Sequence, residues 1–275
     1  MRHPKLGELK KQIKKNKPVF ITYAVLRLIV VLILIRSVLR ADYQSAFYCV
    51  LTLILFFIPA FMEKNFGIVL PNTLEIFILG FVFAAEILGE LRCYYLTIPH
   101  WDTMLHTING FLCAAFGFCL VDILTRNKNL KFSLSPVYMA IAAFCFSMTI
   151  GVLWEFFEFS ADCLFGTDMQ KDTVITVINS VTLNPSGENS AVSIKGITET
   201  VVNGERLPID GYLDIGLFDT MKDLMVNFVG AVVFSTIGYF YVKARGKGKF
   251  AKHFIPEIID EPSEGGSEGE NETDI

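Results

Sequence analysis

WDTMLHTINGFLCAAFGFCLVDIL, Trp101 to Leu124, is the stretch whose reading decides the fold. At about 1.5 Å of rise per residue it is long enough to cross the hydrocarbon core of a bilayer, and it is apolar over most of that length. Near its start it nevertheless carries Asp102 and His106. Ionisable groups in hydrocarbon are costly and are retained where they face a partner or a ligand, so this segment reads as a membrane helix with a polar site at one end.

Working outward, two further apolar stretches repeat the pattern. Pro136 to Phe165 contains Trp154-Glu-Phe-Phe-Glu-Phe159 followed by Asp162, and Phe218 to Val242 contains Asp219, Asp223 and Asn227. Three more stretches, Val19 to Leu39, Gln44 to Met62 and Thr73 to Leu91, complete the set. Hydrophobic residues make up 52% of the chain and mean hydropathy is +0.48, which excludes an ordinary water-soluble domain. The expected fold is an all-α polytopic membrane protein, a six-transmembrane-helix bundle.

Residues 1–18 form a basic leader with Arg2, Lys5, Lys10, Lys11, Lys14, Lys15 and Lys17, and no small-residue cleavage site follows it. The first span therefore reads as an anchor. The leader, Lys64, the Arg126/Lys128/Lys131 loop and the tail with Lys243, Arg245, Lys247, Lys249 and Lys252 fall on one side, which puts both termini in the cytoplasm. The membrane domain is expected at 19–243 and the cytoplasmic tail at 244–275. From about residue 256 the tail holds eight acidic residues and no Lys or Arg, the composition of a disordered segment. Without it, 24 basic residues face 20 acidic ones, so the overall acidity says nothing of partners, and no nucleic-acid-binding feature is read.

Residues 166–217 differ in character. Thr173 to Val181 and Val192 to Val202 are β-branched runs, and Asn203-Gly204 marks a hairpin turn, so a small β-rich extracytoplasmic insertion is expected. The six cysteines show no CxxC spacing and imply no zinc–thiolate site; Cys93 and Cys163 are near enough to the outer surface to be considered for pairing. Arg27 reads as a snorkelling cation, Pro59 as a kink or end of the second helix, and Tyr94, Tyr95 and Trp101 as an interfacial aromatic belt with His100 beside it. Glu86 and Glu90, four apart on the third helix with Arg92 beside them, are additional site candidates.

Helical phase ties the polar residues together. At about 100° per residue, Asp102, His106 and Asn109 share about 60° of arc, as do Glu155, Glu158 and Asp162, while Asp219, Asp223 and Asn227 span about 80°. Because the fourth and sixth helices run inward and the fifth outward, all three stripes fall in the outer half of the bundle. Taken singly, Asp102, Asp219 and Asp223 are acidic residues near helix N-termini, favoured there by the dipole. That reading leaves Glu155 and Glu158, inside an aromatic run, without an explanation.

Six carboxylates in one volume, with Lys222 the one nearby cation in these segments, repel one another unless compensated. A bound divalent metal ion is the simplest compensation, and carboxylates with one imidazole suit Mg²⁺ or Mn²⁺ as well as Zn²⁺ or iron. The expected metal ligands are Asp102, His106, Glu155, Glu158, Asp219 and Asp223, with His106, Glu155 and Glu158 as the catalytic candidates and Asn109, Asp162 and Asn227 orienting them.

These motifs carry a resemblance. Trp101-Asp-Thr-Met-Leu-His106 continuing to Asn109-Gly-Phe111, Trp154-Glu-Phe-Phe-Glu158, and Asp219-Thr-Met-Lys-Asp223 continuing to Gly230-Ala231 resemble the YjdF-like family of uncharacterised bacterial inner-membrane proteins. The likeness runs from the third helix to the sixth. It implies that Asp102/His106, Glu155/Glu158 and Asp219/Asp223 belong to one site. In shorter members a brief link with another Asp stands where this chain has the insertion, and Asp172 or Asp214 are the residues here that match it.

Two kinds of function fit. One is a metal-dependent membrane hydrolase acting on a lipid or lipid-linked substrate at the outer face, the metal activating water and stabilising the leaving oxygen. The other is a cation- or proton-coupled transporter or sensor, which needs polar groups continuing toward the cytoplasm. A structural membrane protein with a buried polar network is the third reading.

Overall fold

The computed structural model describes residues 16–66, 68–126, 134–244, 253–255 and 257–258. The basic leader up to residue 15, Lys128 and Lys131, and most of the acidic tail lie outside the described residues.

Proline, a capping aspartate and small residues explain where the helices begin and end. The first helix, α1 (Lys17–Leu39), starts with Pro18 in its first turn, where a missing N–H costs nothing. Asp42 caps the next, its carboxylate accepting from the Ser45 backbone N–H at 3.1 Å. That second hydrophobic stretch is broken into α2 (Tyr43–Leu55) and α3 (Ile58–Phe66), as Pro59 foretold. Backbone freed at such a break must find a partner in a membrane, and the Tyr23 hydroxyl donates to the Phe56 carbonyl at 3.1 Å.

The expected third helix is present in altered form. It is α-helical as α4 (Asn72–Phe83) and then widens into a π-helical stretch, Ala84–Leu91. The described residues therefore contain five helices long and apolar enough to cross a membrane, Lys17–Leu39, Tyr43–Asn65, Trp101–Asp122, Pro136–Phe165 and Leu217–Lys243, against an expected six. At the wide turn Gly89 meets the ring of Tyr95 in the short helix α5 (Tyr94–Thr97); a Cβ at Gly89 would collide with that ring.

The remaining helices are α6 (Trp101–Arg126), α7 (Pro136–Phe165) and α8 (Leu217–Lys243). Ser135 caps α7 through the Tyr138 N–H at 3.2 Å, and Gly166 ends it in the left-handed conformation, φ 64°. α6 and α8 approach so closely that a Cβ on Gly110 would strike the Asn227 carbonyl, and one on Gly230 the Thr107 carbonyl. Small residues allow this contact, the usual device for helix association in lipid.

Two apolar clusters result. One, with Ala114, Ala115, Phe118, Ala143, Ala231 and Phe234, fills the α6–α7–α8 bundle; the other, with Val30, Cys49, Phe56, Leu79, Val82 and Ile87, joins α1, α2, α4 and the π-helical stretch.

The segment between α7 and α8 forms short antiparallel ladders. After β1 (Ile68–Val69), the strands are β2 (Thr173–Ile175), β3 (Val177–Ser180), β4 (Val192–Lys195), β5 (Val201–Val202), β6 (Glu205–Arg206), β7 (Tyr212–Asp214) and β8 (Glu257–Ile258). β2 pairs with β7, β3 with β4, β5 with β6 and β1 with β8. Asn203 (φ 54°) and Gly204 (φ 87°) turn the β5–β6 hairpin, the two successive positive φ values that such a turn requires. Cys93 and Cys163 are not joined in a disulfide.

Candidate metal centre

His106 stands at the meeting point of α6, α7 and α8. Its Nε2 lies 3.4 Å from Asp102 Oδ1, one helical turn away, and 3.7 Å from Asp223 Oδ2 on α8. Its Nδ1 lies 4.0 Å from Glu155 Oε1 on α7. The helices place these groups by simple periodicity: a four-residue step on α6 stacks Asp102 under His106, and the close α6–α8 approach brings Asp223 opposite.

Asp102, His106 and Asp223 offer ligand atoms that all lie within 4.8 Å of one another, a group able to hold a metal ion. Asp223 is almost fully buried, and so is Glu155. Asp102 Oδ2, Glu155 Oε2 and Asp223 Oδ1 are buried and accept no hydrogen bond. Buried carboxylate oxygens without donors are expensive, and cations offset that cost. One cation is supplied by the chain: Lys222 Nζ lies 3.4 Å from Asp219 Oδ1, 3.7 Å from Asp102 Oδ2 and 3.8 Å from Asp223 Oδ1.

The other expected ligands have different surroundings. Glu158 is buried and accepts a hydrogen bond from the Trp154 indole at 2.8 Å, one turn back on α7. Asp219, besides its contact with Lys222, accepts from the Lys171 backbone N–H at 2.9 Å. Neither belongs to the close three-residue group. Asp162 takes the Thr167 hydroxyl at 2.7 Å and the Met169 and Gln170 backbone N–H groups at 2.7 and 2.9 Å, so its carboxylate organises the chain leaving α7 rather than facing His106.

Asn109 and Asn227 form a polar layer next to the cluster. Asn109 Nδ2 donates to Asn227 Oδ1 at 3.4 Å, and Asn227 Nδ2 reaches the Ser147 carbonyl at 3.5 Å. The Ser147 hydroxyl donates to the Gly110 carbonyl at 2.7 Å, joining α7 to α6. Farther along the helices this layer gives way to Ala114, Ala115, Phe118, Ala231 and Phe234. Gly151 makes room for the arrangement, since a Cβ there would stand 2.7 Å from Asn227 Nδ2.

On the opposite side a cavity of about 240 Å³ opens, lined in part by Tyr95, Trp101, Asp102, Lys171, Asp219 and Lys222. The Tyr95 phenol is pushed up by its burial and then by the negative charges of Asp102, Glu90, Glu86 and Glu158. Glu86 and Glu90 lie on the π-helical stretch, outside the close three-residue group. Arg27 lies over the Tyr23 and Phe57 rings, 4.9 and 4.8 Å from their centroids, away from the site.

Of the two insertion residues implied by the resemblance, Asp214 accepts from the Phe218 N–H at 2.9 Å, at the start of α8. Asp172 is raised above its ordinary value by burial and by Asp168, Asp214 and Asp162. Sequence reasoning did not assign Tyr95, Trp154, Lys171 or Ser147 to the site. Trp154 had a legible signal, its four-residue spacing from Glu158; the others depend on contacts between distant segments.

The family described as "Predicted membrane protein (DUF2238)" matches residues 22–244, and the chain belongs to it. The resemblance to the YjdF-like family is compatible with that membership. An uncharacterised protein of Thermotoga maritima is 28% identical over 106 residues, 38% of this chain and 53% of that protein, so the chain spans about half the length of this relative. No solved structure matches.

Proposed function

We propose that this protein is a divalent-metal-dependent membrane hydrolase acting on a lipid or lipid-linked substrate, its site formed where α6, α7 and α8 meet. The observation that carries the reading is the buried Asp102/His106/Asp223 group, with an unbonded Glu155 oxygen beside it and a cavity at its edge. Asp102, Asp223 and His106 through Nε2 would hold the metal, which would supply Lewis acidity toward a phosphoester oxygen and a water. Glu155, facing Nδ1, orients the imidazole and is the general-base candidate. Glu158, held by Trp154, and Asp219, held by Lys171, keep the surrounding negative charge in place. Asn109 and Asn227 fix the register of the helices beneath.

Within this reading the π-interrupted helix Asn72–Leu91 is a sixth span, and the motif order supports kinship with the YjdF-like proteins of the bacterial inner membrane. The Lys/Arg distribution supports cytoplasmic termini, with the site in the outer half, residues 166–217 outside the cytoplasm and the division at 18/19 and 243/244. A cation- or proton-coupled transporter or sensor is the alternative. The apolar packing of Ala114, Phe118, Ala231 and Phe234 beyond the Asn layer favours the hydrolase, because a pathway needs polar groups to continue.

Elemental analysis of the purified protein beside Asp102→Ala, Glu155→Ala and Asp223→Ala tests the metal. Well-folded wild type without stoichiometric metal after supplementation would remove it. Metal-dependent ion flux in liposomes, abolished by the same substitutions, would favour transport.

A further inference from the structure

Two carboxylates of the cluster each face two cation positions. Asp102 sets Oδ1 3.4 Å from His106 Nε2 and Oδ2 3.7 Å from Lys222 Nζ. Asp223 sets Oδ2 3.7 Å from His106 Nε2 and Oδ1 3.8 Å from Lys222 Nζ. Asp219 completes the surroundings of the lysine at 3.4 Å. Asp102 and Asp223 therefore bridge an inner position beside His106 and an outer one filled by an ammonium group.

Glu155, from a third helix, faces the other edge of the same imidazole and so keeps Nε2 turned toward Asp102 and Asp223. Its side chain is only 5% exposed, Oε1 lies 4.0 Å from His106 Nδ1, and Oε2 accepts no hydrogen bond. The inner position thus gathers more negative charge than its own residues compensate, whereas the outer position has its cation built in.

We propose that Lys222 occupies the second-cation position of a carboxylate-bridged pair, so that the site takes one divalent ion, among Asp102, His106 and Asp223, and excludes a second. The inference rests on the metal reading above and specifies it. Bridged metal pairs sit about 3.5–4 Å apart, and a second divalent ion held by the outer oxygens would meet the ammonium at that range or closer. At such distances repulsion between cations opposes a second ion beside the buried bridging carboxylate of Asp223. Lysine suits the position because its charge is compact, where a guanidinium would need planar, forked partners.

The consequence for chemistry is asymmetric. Lys222 lines the cavity and is about half exposed, so its ammonium is a positive charge within reach of a substrate oxygen entering there. An anionic ester, such as a phosphoester, fits one metal ion on the inner side and one ammonium on the outer side.

Titration of the full-length, detergent-purified chain with Mn²⁺, read by elemental analysis and electron paramagnetic resonance, tests this. Wild type and Lys222→Arg are expected to bind one equivalent. Lys222→Met and Lys222→Asp are expected to bind two, with the six-line Mn²⁺ signal weakened by coupling between neighbouring ions. Lys222→Met keeps the length and removes the charge, so it carries the test if the added carboxylate of Lys222→Asp prevents folding. Two equivalents in wild type, or one equivalent of unchanged affinity in Lys222→Met, overturns the role of Lys222 while the metal reading stands. Absence of Mn²⁺ from wild type and all variants overturns the metal reading itself.

Discussion

The two apolar clusters belong to halves of the molecule built on opposite terms. Around Val30, Phe56, Leu79 and Ile87 the first helices meet through large side chains, and among the described residues the buried polar ones there are Ser37 and Thr52. Around Ala114, Ala143 and Ala231 the last three long helices meet through small residues and bury Ser147, Glu155, Glu158, Asp219, Asp223, Asn227 and Ser235. Close backbone approach is what makes the difference useful. Where helices nearly touch, short side chains from different helices reach one another, and a polar group can be buried with partners instead of facing lipid.

The sharpest way to break the comparison is to remove one of the buried charges of the second half. Asp223→Asn should lower Mn²⁺ affinity by at least about 100-fold, beyond the usual 10–100-fold effect of losing an outer partner. Without metal it should unfold at a higher temperature than wild type, because one of several facing carboxylates is neutralised. Isothermal titration and thermal unfolding with and without Mn²⁺ check both halves of that statement.

Packing gives the next effect. Gly230→Ala puts a methyl group against the Thr107 carbonyl and should destabilise by about 1–3 kcal/mol, the usual range for overpacking. Gly80→Ala, in α4 with nothing within 4 Å of its Cβ, should instead stabilise by up to about 1 kcal/mol through helix propensity. Equal responses to the two substitutions in a detergent unfolding assay would erase the distinction between the halves.

Trp154→Phe keeps an aromatic ring, though a smaller one, and removes the 2.8 Å donor to Glu158. A stability loss of about 1–2 kcal/mol is expected, with metal affinity lowered less than by Asp223→Asn. The smallest effect should come from Asp42→Ala in the first half. Hydrogen bonds from Ser45 hold the Asp42 carboxyl below its ordinary 3.8, so its contribution is present above that value and fades as pH falls through the lower, folded-state value. Wild type and Asp42→Ala should therefore differ slightly in melting temperature at pH 7 and converge in strong acid.

How far the site could be read from the chain depended on whether its signal was local. Asp102 and His106 share a helix face because four residues make about one turn, and that is arithmetic. The breaks at Pro59 and Asn203-Gly204 were legible for the same kind of reason. The partners of Asp162 were not legible, because the chain after Gly166 folds back and donates to both its oxygens. Nor was the widening of the third helix legible. The wide turn seats Gly89 against the Tyr95 ring, a contact made by the segment that follows the helix.

By itself the sequence determined a hydrophobic, helical membrane protein with polar stripes on three helices, since hydropathy and helical period are properties of single segments. Only the tertiary structure decided which members of those stripes meet. Gly110 and Gly230 let α6 and α8 close until His106 lies between Asp102 and Asp223, and Glu155 enters from α7. The same approach put Lys222 against three carboxylates. Distances of that kind are set by backbone contact between remote segments, and no pattern within one helix encodes them.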